Sequence, residues 1–146
     1  MKKIFICDDE CMTAAMLKLT LDVKYRTEVC TDPLEAVQKI KIYQPDLIFM
    51  DIMMPHKSGL EVYHDLLHST EIRVPVIFMS ACNYPPVVKA TFQDGGFDYI
   101  IKPLNMKAIR EKVKTIFTQL EKEEVDFERK INELTVLIEC YRNKEL

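Results

Sequence analysis

Four short apolar runs punctuate the first hundred residues, and each ends on a polar or charged side chain. They are Ile4-Phe5-Ile6-Cys7, Leu47-Ile48-Phe49-Met50, Val74 through Met79, and Tyr99-Ile100-Ile101. None alternates polar with apolar residues, so none suits a strand with one wet face. Continuous runs of this length predict strands buried on both faces, as in a parallel sheet. A weaker strand, Glu28-Val29-Cys30, is predicted at an edge.

Helical patterns fill the gaps between these runs. The first is predicted from about Cys11 to Leu21, burying Ala15, Leu17 and Leu21. Asp32-Pro33-Leu34-Glu35 offers an N-cap, a proline at the first helical position and a glutamate reaching back. Ser58-Gly59-Leu60-Glu61 is a second capping box, and Val62, Tyr63, Leu66 and Leu67 follow it on an apolar face. Pro85-Pro86 suits the entry to a further helix that Gly95-Gly96 would close. Strand and helix therefore alternate five times, which predicts an α/β, doubly wound, five-stranded parallel sheet with helices on both faces.

The residues that follow the runs carry the chemistry. Asp8-Asp9 comes after the first, Asp51 after Met50, Ser80 after Met79 and Lys102 after Ile101. Ligands of an open parallel sheet bind beyond the carboxyl ends of its strands, so one site can gather all five side chains. Taken singly, an aspartate after a strand is a turn residue or a helix cap. Taken together, three carboxylates would raise one another's pKa unless a cation intervened, and a hard ion such as Mg²⁺ suits carboxylates and water. Lys102 adds a fixed positive charge and Ser80 a hydroxyl donor. Such a set fits phosphoryl transfer, which needs positioning and charge neutralisation, with a carboxylate as nucleophile. Asp51 lies centrally among these groups and is the expected acceptor.

The segments Ile6-Cys7-Asp8-Asp9-Glu10, Leu47 through Pro55 with Ser58-Gly59, Phe78-Met79-Ser80-Ala81, and Phe97 through Pro103 together resemble the receiver domain of two-component response regulators, over about residues 1–119. The resemblance implies a (βα)5 flavodoxin-like fold and a signalling domain rather than an enzyme. It implies that Asp51 accepts a phosphoryl group from a sensor histidine kinase or phosphotransfer protein. Asp9, Asp51 and the Met53 backbone carbonyl would hold Mg²⁺, with Asp8 assisting through water. Ser80 would be the switch hydroxyl, Tyr99 the aromatic that follows it, and Lys102 a contact to the phosphoryl group before a cis peptide at Pro103. Two rivals are a Mg²⁺-dependent phosphohydrolase, whose second acid is replaced here by Met53, and a phosphorylation-independent scaffold, which would not need all five polar groups. Met53, Met54 and Cys82 are expected at the rim of the site, and His56 in solvent.

After Pro103 the chain has no glycine or proline. One helix is predicted from about Asn105, roughly 60 Å long at about 1.5 Å per residue. Ile109, Val113, Ile116 and Leu120 keep 4-3-4 spacing, as do Phe127, Ile131, Leu134, Ile138 and Tyr141, with Glu124 on the seam between them. The two successive fours around Leu120 form a stutter, and Asp126 with Lys130 suits a helix pair. Residues 120–146 are accordingly expected as a coiled-coil extension joining two copies into a parallel homodimer. The absence of a stop signal at Leu146 predicts an output segment beyond it, such as a cyclase, a phosphodiesterase or a kinase.

Bulk properties exclude other classes. A net charge of -3 gives no reason to expect direct nucleic-acid binding. No apolar run approaches the roughly 18–20 residues of a membrane span, and the apolar start is cut short by Asp8-Asp9-Glu10. Five cysteines, an odd number without a Cys-x-x-Cys pair, read as free thiols in a cytoplasmic chain.

Overall fold

The computed structural model describes residues 1–81 and 98–143, the side chain of Tyr141 excepted. Five parallel strands form one sheet: β1 (Lys3–Cys7), β2 (Arg26–Cys30), β3 (Leu47–Asp51), β4 (Val76–Ser80) and β5 (Asp98–Ile101). Their order is β2-β1-β3-β4-β5. β2 is an edge strand, as expected. β1, β3 and β4 are buried almost throughout, but the other edge strand, β5, is only half-buried. Tyr99 and Ile100, on opposite faces, are both only partly covered, so its apolar run reflects an edge position.

The parallel register puts alternate residues on opposite sides of the sheet. On one face Phe5, Cys7, Ile48, Met50, Val76 and Phe78 pack with Ala36 and Ile40 of α2 (Ala36–Tyr43) and Val62 and Leu66 of α3 (Gly59–Ser69). Ile4, Ile6, Leu47, Phe49, Ile77 and Met79 are equally buried on the other. A fully buried side chain of this size contributes about 1.5–3 kcal/mol, so a register slip in any central strand would be heavily penalised.

Helix α1 (Cys11–Leu21) buries Ala14, Leu17 and Leu21, whereas Ala15 is exposed. The inward stripe is 14-17-21, a 3-4 step that places Ala15 one residue off the face. The start predicted at Asp32 also shifts. Asp32 accepts from the Leu34 amide through Oδ1 at 3.0 Å and closes a separate turn; α2 itself begins at Ala36. Glu35 does not reach back to the cap but pairs with Lys39 at 3.1 Å. The Ser58 box forms in full: the Glu61 amide donates to Ser58 Oγ at 3.1 Å, and the Ser58 amide to Glu61 Oε2 at 3.0 Å. The helix expected between Pro85 and Gly96, and Cys82, lie outside the described residues.

The chain divides into two compact units, Met1–Met106 and Lys107–Leu146. One unbroken helix, α4 (Met106–Arg142), has 37 residues and corresponds to about 55 Å. Ile109 and Val113 are buried on the predicted stripe, but at the next step Phe117 is buried while Ile116 is only half-buried. From Val125 onward the large apolar residues Phe127, Ile131, Leu134, Val136, Leu137 and Ile138 are exposed. Asp126 pairs with Arg129 at 3.7 Å, one residue short of the expected Lys130, because the i,i+3 position is as near as i,i+4 on a helix surface. No helix among the described residues is long and apolar enough to cross a membrane.

Candidate phosphoryl-acceptor site

The sheet order creates the site. From β1 the chain steps outward to β2, then returns past β1 to build β3, β4 and β5 on the other side. A crevice opens at such a reversal, beyond the carboxyl ends of the strands. Asp8 follows β1, Asp51 ends β3, Ser80 ends β4 and Lys102 follows β5, so these residues line one edge in spatial order. Among the described residues, Asp8, Asp9 and Asp51 form the only group of three or more potential metal-binding side chains, with one ligand oxygen from each within 4.8 Å of the others. Asp8 and Asp51 are buried and Asp9 is the most open.

Lys102 closes this cluster from the opposite side. Its Nζ lies 2.8 Å from Asp8 Oδ2 and 3.5 Å from Asp51 Oδ2, while its own amide donates to the Ser80 carbonyl at 2.8 Å. Asp8 is further tied down because its Oδ1 accepts from the Glu10 amide at 2.9 Å. The cis Lys102–Pro103 peptide is present as expected.

One lysine does not neutralise three carboxylates, and Asp51 carries the consequence. Its pKa is pushed up to about 7, first by burial and then by the negative charge of Asp8, with Lys102 opposing. Mutual repulsion, the cause anticipated from composition, is therefore second to desolvation. Burial by itself would lower the Lys102 pKa, but the hydrogen bond and charge of Asp8, with Asp51, hold it above the usual lysine range. The donor set fits a hard divalent cation, since oxygens from three carboxylates converge beside Lys102 and leave a surplus of negative charge.

The remaining candidates are spread more widely. Ser80 is fully buried at the end of β4. Met53 lies in the loop after β3 with its side chain exposed. Tyr99 pairs with Phe78 in register and is half-buried against the core cluster that includes Met50 and Phe78. Met54 leaves the rim altogether: it is buried, and the Cys7 thiol donates to its sulfur at 3.8 Å. A thioether followed by proline reads as loop, and only the close return of the chain toward β1 draws it into the core. His56 is exposed and adopts a positive φ of 70°, a conformation uncommon without a glycine.

Gly59 is the functional position that reading for polar groups missed. Its amide donates to the Ile52 carbonyl at 2.9 Å, and a Cβ built on it would fall 2.1 Å from the Asp51 carbonyl oxygen. The signal was available in Ser58-Gly59: a poor helix former at the first helical position marks close backbone approach. Beside the site, Glu10, Thr13, Met16, Ala81, Lys102, Pro103, Leu104 and Met106 line an open groove of about 410 Å³.

A family profile described as the response regulator receiver domain matches residues 4–114. The transcriptional regulatory protein BtsR of Salmonella typhi is 30% identical over 128 residues, which is 86% of this chain and 52% of that protein. A probable cyclic di-GMP phosphodiesterase of Vibrio cholerae is 30% identical over 113 residues, covering 77% of this chain and 26% of that protein. The chain thus spans about a quarter to a half of the length of these relatives. A two-component response regulator from Clostridium difficile superposes with a TM-score of 0.73 at 29% identity, covering 82% of this chain and 98% of that one. The names of the two relatives describe different proteins, a transcriptional regulator and a phosphodiesterase. This chain belongs to the receiver domain family of two-component response regulators.

Proposed function

We propose that Asp51 is the phosphoacceptor, that Asp8, Asp9, Asp51 and the Met53 backbone carbonyl hold Mg²⁺, and that residues 1–119 act as the receiver, with 120–146 as its helical extension. The observation that carries this reading is the convergence of three carboxylates and Lys102 on one sheet edge. In the transfer, an Asp51 oxygen forms a bond to phosphorus as the bond from phosphorus to the donor's imidazole nitrogen breaks. Bound Mg²⁺ would supply charge neutralisation at the phosphoryl oxygens. Lys102 would exchange part of its hold on Asp8 for those oxygens, and Ser80 would donate its hydroxyl. That exchange pulls on the segments after β4 and β5, and so biases two packings of the face to which Tyr99 of β5 belongs. The open groove beside Lys102 is where a phosphohistidine donor, from a sensor kinase or phosphotransfer protein, has room to approach.

Incubation with Mg²⁺ and a small acyl phosphate tests the assignment. Peptide mapping is expected to find one added phosphoryl mass on Asp51, and an adduct elsewhere would refute it. Mg²⁺ affinity is expected to depend on pH, because the ion competes with the proton that Asp51 holds up to about pH 7. Binding should strengthen by up to about tenfold per pH unit on approach to that value and level off above it. Titration calorimetry across this range checks the slope, and a flat profile would contradict the proton competition.

The exposed residues Phe127, Ile131, Leu134 and Ile138 keep the 4-3-4 spacing of a coiled-coil seam. This supports a parallel homodimer through α4, since an unpartnered stripe of that length would stay wet. Sedimentation with and without acyl phosphate is expected to find a dimer in at least one state; a monomer in both would exclude it.

A further inference from the structure

A second cluster of metal-ligating side chains lies on α3, away from the carboxylates. His64 and His68 are four residues apart and project from the same face of the helix, and both are exposed. Their rings are stacked, with centroids 4.0 Å apart and planes inclined by 26°. Two histidines at this spacing on a helix are a recurring way to seat a borderline transition ion.

The hydrogen bonding prepares both rings for that role. His68 Nδ1 lies 2.8 Å from the His64 carbonyl oxygen. A carbonyl only accepts, so Nδ1 carries the proton and the neutral ring keeps its lone pair on Nε2. His64 Nδ1 faces the Asp65 carboxylate at 3.6 Å, which favours the same tautomer. Asp65 is held ionised, its pKa lowered first by its hydrogen bond with Lys57. Both Nε2 atoms are thus left to bind an ion, His68 backed by a hydrogen bond at its other ring nitrogen and His64 by the nearby Asp65 charge.

We propose that His64 and His68 form a two-imidazole site for a divalent transition ion such as Zn²⁺, distinct from the Mg²⁺ site. Chelation at zinc–nitrogen distances of about 2.0–2.1 Å requires the two rings to turn out of the stack so that their Nε2 lone pairs converge, and the exposure of both side chains leaves room for that rotation. Among the described residues no third His, Cys, Asp or Glu ligand atom joins this pair. Water completes the shell, and the site exchanges its ion readily instead of holding a structural zinc. The two sites are separated by chemistry as well as place, because imidazole suits Zn²⁺ while carboxylate and water suit Mg²⁺. The opposite face of α3 stays in the core through Val62 and Leu66, so occupancy does not require the domain to open.

Titration of the full chain with Zn²⁺ in excess Mg²⁺ tests this, the Mg²⁺ occupying the carboxylates. One Zn²⁺ per chain is expected, with affinity falling at least about tenfold in His64→Ala and in His68→Ala. Cys11→Ser is expected to bind as the parent, which removes the exposed thiol as the source. The double variant His68→Ala, Ser69→His keeps the histidine count but breaks the spacing, and should bind no better than His68→Ala alone. Absence of saturable uptake would overturn the proposal, as would uptake that persists in both alanine variants or is restored by the shifted histidine.

Discussion

Replacing Asp51 by asparagine is expected to abolish phosphoryl incorporation from an acyl phosphate while making the metal-free protein more stable. The two effects share one cause. Asp51 is buried beside Asp8, and its pKa in the folded protein is about 7 against an ordinary value of 3.8. A carboxyl whose folded pKa is raised favours the folded state while protonated. That contribution is fully present below the unfolded value and is lost as pH rises through the folded one. In the metal-free parent, stability should therefore fall between about pH 4 and pH 7, whereas asparagine has no charge to acquire. The gap between variant and parent should widen over this interval and then stay constant, reaching on the order of a few kcal/mol. Denaturant unfolding at a series of pH values, in chelator, measures it. Saturating Mg²⁺ should narrow the gap by stabilising the ionised parent. A variant less stable than the parent at pH 8 in chelator would show that Asp51 is not the strained group.

The sign of that effect explains why the site was legible in the sequence and its internal balance was not. Asp8, Asp51, Ser80 and Lys102 each interrupt a continuous apolar run, and parallel topology sends every such interruption to the same sheet edge. The closer pairing of Lys102 with Asp8, at 2.8 Å against 3.5 Å to Asp51, joins residues 94 positions apart. It depends on how far a lysine reaches across two intervening strands, which spacing along the chain does not encode. Helix limits show the same division. Ser58 and Glu61 satisfy each other locally, so the box could be read directly; Glu35 had a competing partner in Lys39 and took it. Ala14 replaced Ala15 because two adjacent alanines differ only in the face they present. The stacked histidines escaped notice because each is an ordinary exposed residue alone. Their meaning lies in a ring contact and a backbone acceptor.

Gly59→Ala is expected to damage the fold and the acceptor site together, although it adds one methyl group. The new Cβ would meet the Asp51 carbonyl oxygen at 2.1 Å, Met50 Cγ at 2.8 Å and the Asp51 carbonyl carbon at 2.9 Å. Met50 could swing aside, but the Asp51 carbonyl belongs to the last residue of a central strand and cannot. The first turn of α3 must retreat instead, stretching the bond from the Gly59 amide to the Ile52 carbonyl and drawing on the Ser58–Glu61 box behind it. Overpacking against rigid backbone costs about 1–3 kcal/mol, and loss of the cap adds about 1 kcal/mol. A midpoint drop of that size in denaturant unfolding, with an unchanged slope, is the expected result. The rate of acyl-phosphate labelling should fall as well, even where the variant remains fully folded, because displacement of the Asp51 backbone misplaces its carboxylate relative to Asp8 and Lys102. Leu60→Ala, at the adjacent and exposed position, is the control and should change stability by no more than about 0.5 kcal/mol. If Gly59→Ala matched that control in both stability and labelling, the close approach of α3 to Asp51 would not be what holds the acceptor in place.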